Sequence, residues 1–157
     1  MFDDQYSPTN FDVLLTDVHS KDLHEGISDR LNVKYLETAE SDDVKEAAGI
    51  VYGPHNRVFV ATVIKRGDRL RHVHFLVDTG SPFTYICNEA LQSLGVEVLD
   101  SKTPVRVRIN GMPTTATQSH GHFADLNLLG TDFLMTFGCV LTADFENRRV
   151  KIVLNSE

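Results

Sequence analysis

Phe75-Leu76-Val77-Asp78-Thr79-Gly80-Ser81 is the stretch whose reading decides the fold. Three apolar residues run into a carboxylate, and the chain then breaks at once into Thr-Gly-Ser. A strand followed by a tight turn holds the Asp78 carboxylate at the strand end, at the edge of a core. Gly80 permits a backbone geometry or a close approach that a side chain would block. The hydroxyls of Thr79 and Ser81 are placed to brace the turn and to hydrogen-bond the carboxylate. A carboxylate both held and partly desolvated is a candidate for acid–base chemistry.

Outward from this turn the chain reads as strands. Arg57 to Ile64 is rich in β-branched residues, Lys65-Arg66-Gly67-Asp68-Arg69 is a turn, and Arg71 to Val77 returns as the second arm of a hairpin. Alternation puts Val73, Phe75 and Val77 on one face, with His72, His74, Leu76 and Asp78 on the other. Phe83 to Cys87 is a third strand, and 88–95 a short helix with Asn88 as cap and Gly95 as terminator. The order then recurs. Strands over 104–109 and 114–119 flank Asn110-Gly111, a strong hairpin turn. Another strand covers 125–130, Thr131-Asp132 caps a short helix from Phe133 to Phe137, and a last hairpin joins 139–145 to 149–154. The repeat is one of architecture, not of residues.

Together, Asp78-Thr79-Gly80-Ser81 behind an apolar run and Leu128-Leu129-Gly130-Thr131-Asp132 downstream resemble the two signatures of retropepsins, single-domain aspartic peptidases of retroviruses and related elements. The resemblance spans about Val51 to Leu154. It implies an all-β fold, a retropepsin-like acid-protease closed barrel with one or two short helices. It makes Asp78 the catalytic residue, with Thr79 bracing two loops across a two-fold axis. Gly80 leaves room for a water, and Ser81 hydrogen-bonds the carboxylate. Leu128, Leu129 and Gly130 form a strand threading past the turn, and Asp132 is a structural cap or ion-pair partner. No second Asp-Thr/Ser-Gly occurs, so the other half of an Asp-Asp dyad comes from a second copy of the chain. The implied activity is hydrolysis of a peptide or unfolded protein by an activated water, with no metal and no cofactor. A non-catalytic dimerisation or peptide-binding module is the alternative. The glycine-containing flap of a retropepsin has little room here. Either it is cut down to 95–104, with 105–119 a hairpin of the second half, or 105–119 is itself the flap; the first suits Asn110-Gly111 better.

Charge divides the chain. Residues 1–47 hold 12 Asp or Glu against 4 Lys or Arg, and residues 48–157 hold 10 against 11. Residues 1–49 therefore read as an acidic, partly ordered N-terminal extension, with Ser41 capping a short helix over 44–48 and Gly49 ending it. Residues 50–157 form the peptidase-like domain. The near-neutral remainder lacks the basic stripe of a nucleic-acid-binding surface, and no window approaches the ~20 apolar residues of a membrane span. The N-terminus lacks the pattern of a secretory signal and the two cysteines make no disulfide framework, so a cytoplasmic location is expected. His72 and His74, with His120 and His122, make two His-x-His pairs that read as solvent-facing or loop histidines before they read as a zinc site. Cys87 and Cys139 read as buried apolar residues, and Arg106 and Arg108 as a solvated strand face. Val150 to Leu154 is the strand expected at a dimer edge.

Overall fold

The computed structural model describes residues 14–97, 100 and 102–155. Two short helices, α1 (Ser20–His24) and α2 (Gly26–Leu31), precede strands β1 (Glu46–Tyr52), β2 (Arg57–Arg66), β3 (Arg69–Val77) and β4 (Tyr85–Ile86). Helix α3 (Asn88–Ser93), strands β5 (Val105–Ile109) and β6 (Met112–Gln118), a 3₁₀ turn (Gly121–Phe123) and β7 (Leu128–Leu129) follow. The last described elements are α4 (Thr131–Thr136), β8 (Val140–Asp144) and β9 (Arg149–Val153).

Six strands close into a ring in the order β3-β7-β4-β6-β5-β2, shut by the long β2–β3 pairing. Closure removes the exposed edges that an open sheet would present. Strand β2 does double duty along its other edge: β1 pairs with Arg57 to Val60, and β5 with Ile64 and Lys65. Between them the buried Asn110 bridges the gap, accepting from Val63 N at 2.8 Å through its side chain and donating its own N–H to Val63 O at 2.9 Å. Asn110 and Gly111 both have positive φ, 48° and 82°, as a two-residue hairpin of the mirror-image type requires. From β1 the sheet continues through β9 to β8. The core joins Phe59, Phe75, Ile64, Ile109, Leu91 and Ile152 in one cluster.

The all-β closed barrel expected from the sequence is therefore present, with α3 and α4 as the two expected short helices. The hairpin over 105–118 pairs with β2 and β4 and so forms part of the closed ring. Among the described residues no strand lies between Ser93 and Val105.

The expectations for the first third need correcting. A strand, β1, stands where a helix over 44–48 was expected, and the 49/50 junction falls inside it. Gly49 is not a helix stop. A Cβ there would sit 2.3 Å from the carbonyl oxygen of Phe59, so glycine lets β1 lie close against β2. Residues 14–45 are packed, with Leu15, Val18, Leu23, Ile27 and Tyr35 all joining the main core. Asp17 accepts two hydrogen bonds from Arg57, at 2.8 and 3.1 Å, and this pairing holds its carboxyl below the usual carboxylate range. Residues 1–13 lie outside the described residues.

Candidate active site

Asp78 is the first residue beyond β3. Its amide donates to Leu129 O at 3.0 Å, continuing the parallel pairing of β3 with β7 (Leu76 with Leu128, Val77 with Leu129). The turn then closes on the side chain. Gly80 N donates to Asp78 Oδ1 at 3.0 Å, and Ser81 N to Asp78 O at 3.1 Å. Asp78 is half-buried while Thr79 and Gly80 are exposed. The result is a carboxylate fixed at one oxygen and open at the other.

Ser81 departs from expectation. Its hydroxyl donates to Phe83 O at 2.7 Å, not to the carboxylate, so it shapes the turn from below. The Thr79 hydroxyl makes no hydrogen bond within the described chain and faces outward.

Gly130 explains why two apolar residues and a glycine stand opposite this turn. A Cβ on Gly130 would lie 2.1 Å from Phe83 O and 2.8 Å from Ser81 O, so only glycine lets β7 run under the turn. Leu128 and Leu129 are buried and anchor that strand. Thr131 N donates to Ser81 O at 2.8 Å, a further tie between the segments. Asp132 is a structural partner: its Oδ1 accepts from Thr84 Oγ1 at 2.8 Å and from Phe133 N at 2.7 Å. Thr84 in turn accepts from Gly130 N at 3.1 Å. The two signatures of the sequence are thus one assembly of interlocked turns.

Behind the turn is a polar network that sequence reasoning missed. Asn127, fully buried, accepts from Cys87 N at 2.9 Å and donates to Tyr35 OH at 2.8 Å and His74 O at 3.0 Å. Its backbone carbonyl accepts from Leu76 N. One asparagine therefore locks β3, the start of α3 and the N-terminal segment together, two and four residues upstream of Asp78. Only its place beside Leu128-Leu129-Gly130 marked it in the sequence.

His74 is fully buried, which overturns its reading as a solvent-facing residue. Residues 28–35 cover the outer face of β3, and His74 Nε2 lies 3.0 Å from Val33 O and 3.1 Å from Ser28 Oγ. Burial depresses its pKa to about 4. His120 is exposed, and His122 Nδ1 accepts from Leu15 N at 3.0 Å. Among the described residues no three His, Cys, Asp or Glu side chains converge as a metal site. Burial pushes the thiols of Cys87 and Cys139 up, the latter to about 11, so neither is a ready thiolate.

Beside the turn opens a cleft of about 460 Å³, lined by Phe83, Tyr85, Pro104, Thr117, His120 and Asp132 among others. Asp78 does not line it; the cleft begins five residues further on, at Phe83.

Residues 61–135, which include both signatures, match the family model described as "Aspartyl protease". This segment is similar to aspartyl proteases. In the search of solved structures, a retropepsin-like aspartic protease from Rickettsia conorii aligns with 68% of this chain and 89% of its own, at 16% identity and a TM-score of 0.45. No curated protein sequence matches the chain. Within the matched segment, Asp78 and Gly130 stand on facing sides of one turn.

Proposed function

We propose that the protein is an aspartic endopeptidase whose dyad is formed by Asp78 from each of two copies. The observation that carries this reading is the Asp78 turn itself. One carboxylate oxygen is held by Gly80 N, and the turn rests on Gly130 with no room for any other residue. One chain offers one such carboxylate, so the second comes from a symmetry mate. Two carboxylates a few Å apart share a proton over a range of pH, because like charges that close do not both ionise cheaply. The ionised member takes a proton from a water that attacks the scissile carbonyl, and the protonated member donates to the carbonyl oxygen. Thr79, exposed and without a hydrogen-bond partner among the described residues, is placed to bond across the axis. The cleft from Phe83 to Asp132 receives substrate in extended form, and an unfolded protein suits a site with no described flap strand over it.

The edge available for a second copy is β8, not β9. Strand β9 is covered on both sides, by β1 and β8, which corrects the expected Val150 to Leu154 edge. Among the described residues strand β8 pairs only with β9, and it exposes Val140 and Leu141, with Phe145 just beyond it. Pairing of two β8 edges about a two-fold axis is self-complementary and brings Val140, Leu141 and Phe145 to the interface.

The test is Asp78→Asn. Cleavage of an unfolded protein substrate at mildly acidic pH should disappear while sedimentation still reports a dimer. A wild-type protein that cuts nothing over a broad pH range, or that stays strictly monomeric with substrate present, overturns the enzyme reading. The absence of a described flap strand favours, in that event, a peptide-binding module on the same barrel.

A further inference from the structure

The strongest unassigned feature is a second cleft, of about 610 Å³, on the outer face of the barrel where β2 meets the β5–β6 hairpin. Its walls carry Lys65, Arg66, Arg106 and Arg108, and no acidic residue lines it. That is unusual in a chain with net charge −7. The gathering follows from the strand pattern. Val105, Val107 and Ile109 point inward, so Arg106 and Arg108 share the outer face of β5. The register places Lys65 directly opposite Arg108. Like charges facing each other across a sheet are unfavourable, and the arrangement is relieved by an anion.

One carboxylate already sits on its rim. Asp42 Oδ2 lies 3.2 Å from Arg108 Nε, and Asp42 is almost completely buried by the crossing of its segment over the Gly111 turn. Lys65, Arg66 and Arg106 have no such partner among the described residues. Asp68, in the β2–β3 turn, does not line the cleft.

We propose that this cleft is a binding site for an acidic peptide segment, held in extended form by Lys65, Arg66 and Arg106 beside the Arg108–Asp42 pair. Residues two apart on a strand stand roughly 7 Å from each other on one face. Arg106 and Arg108 have that spacing, and so do alternate carboxylates of an extended peptide. Arginine suits the role because its planar fork takes a carboxylate through two parallel hydrogen bonds. Thr115, exposed and opposite Arg106, adds a hydroxyl to the same face. A single-stranded nucleic acid is disfavoured, since binding it calls for aromatic side chains on which bases stack, and none lines the cleft. The site is independent of the peptidase reading, because it needs neither Asp78 nor a second copy.

The experiment is fluorescence anisotropy with a labelled ten-residue peptide of alternating Glu and Ala, titrated with full-length Asp78→Asn protein so that nothing is cleaved. Saturable binding should appear in about 50 mM salt and weaken as salt is raised, because exposed charges are screened. Arg106→Glu should reduce affinity at least tenfold. Lys151→Glu, the same charge change on the exposed face of β9, should leave it within about twofold. If Arg106→Glu shifts the thermal midpoint, Arg106→Gln and Lys65→Gln replace it, each expected to weaken binding severalfold. Absence of binding, or equal loss in Arg106→Glu and Lys151→Glu, overturns the site. Tighter binding of a ten-nucleotide oligothymidylate than of the peptide overturns the choice of ligand.

Discussion

Two glycines flank the Asp78 carboxylate, and they do different things. At Gly130 an added methyl meets backbone at 2.1 Å from Phe83 O and 2.5 Å from Phe83 C, and neither strand nor turn can give way without breaking its hydrogen bonds. Gly130→Ala should therefore cost about 2–4 kcal/mol of stability, as overpacking against backbone does. A urea denaturation midpoint that falls without a change in slope is the expected result. At Gly80 the only atom close to an added Cβ is Asp78 Oδ1, at 3.3 Å. Gly80→Ala should thus cost less than about 1 kcal/mol in stability. Its effect should appear in cleavage, since the methyl crowds the carboxylate oxygen that Gly80 N holds in place. Equal stability loss in the two variants would contradict this division between a packing glycine and a site glycine.

At the level of elements, the sequence was most legible where local chemistry and periodicity agreed. Asn110-Gly111 required positive φ and produced the β5–β6 hairpin, and the alternation of Val105 to Ile109 gave its inner and outer faces. The Asp78 turn and the Leu128-Leu129-Gly130 strand stood out because each carries residues whose types are fixed by close approach. Strand β1 was illegible for the opposite reason. Glu46-Ala47-Ala48-Gly49 looks helical by propensity, and it becomes a strand only because β2 and β9 supply partners on both sides. Strand β3 misled in a second way. Alternation assumes one wet face, but residues 28–35 cover the other, so His74 and Leu76 are as buried as Val73 and Phe75. The edge of the sheet was likewise a tertiary fact, visible only once β9 was found between β1 and β8. From that edge comes a prediction: Leu141→Lys places a charge on exposed β8 and should raise the dissociation constant of the proposed dimer at least tenfold, as inward-facing or edge charges do in blocking strand pairing. Because Leu141 is already 39% exposed, monomer stability should change by no more than about 1 kcal/mol. Sedimentation at micromolar concentrations checks the first part, thermal unfolding the second. An unchanged dimer would exclude β8 as the interface.

For the whole molecule, His74 ties stability to pH. Its Nε2 lies against the Val33 carbonyl, which can only accept, so the neutral ring carries its proton on Nε2. Among the described residues Nδ1 is buried without a hydrogen-bond partner, so a second proton there would find no acceptor. Burial is the main reason its pKa falls to about 4, with His72 and His24 adding unfavourable charge and Val33 O opposing the shift. In the unfolded chain the same ring titrates near 6.5. The folded state therefore binds fewer protons between those values. Its stability is whole above about pH 6.5, falls as pH drops, and levels off below about 4, for a total loss of roughly 3 kcal/mol. Asp17, whose carboxyl is held low by Arg57, loses its contribution only at lower pH, below the ordinary carboxylate value. Tyr35 and Cys87, packed into the same network, are shifted upward and stay neutral throughout this range. His74→Leu should flatten the dependence: measured by urea unfolding, the stability difference between pH 7 and pH 4.5 should shrink by about 2 kcal/mol relative to the wild type. A difference that persists unchanged would place the titrating group elsewhere. The first consequence of protonation should be local, because His74 fastens residues 28–35 to β3. Amide exchange in α1, α2 and residues 32–35 should accelerate below about pH 5 before exchange in β2 and β5 does.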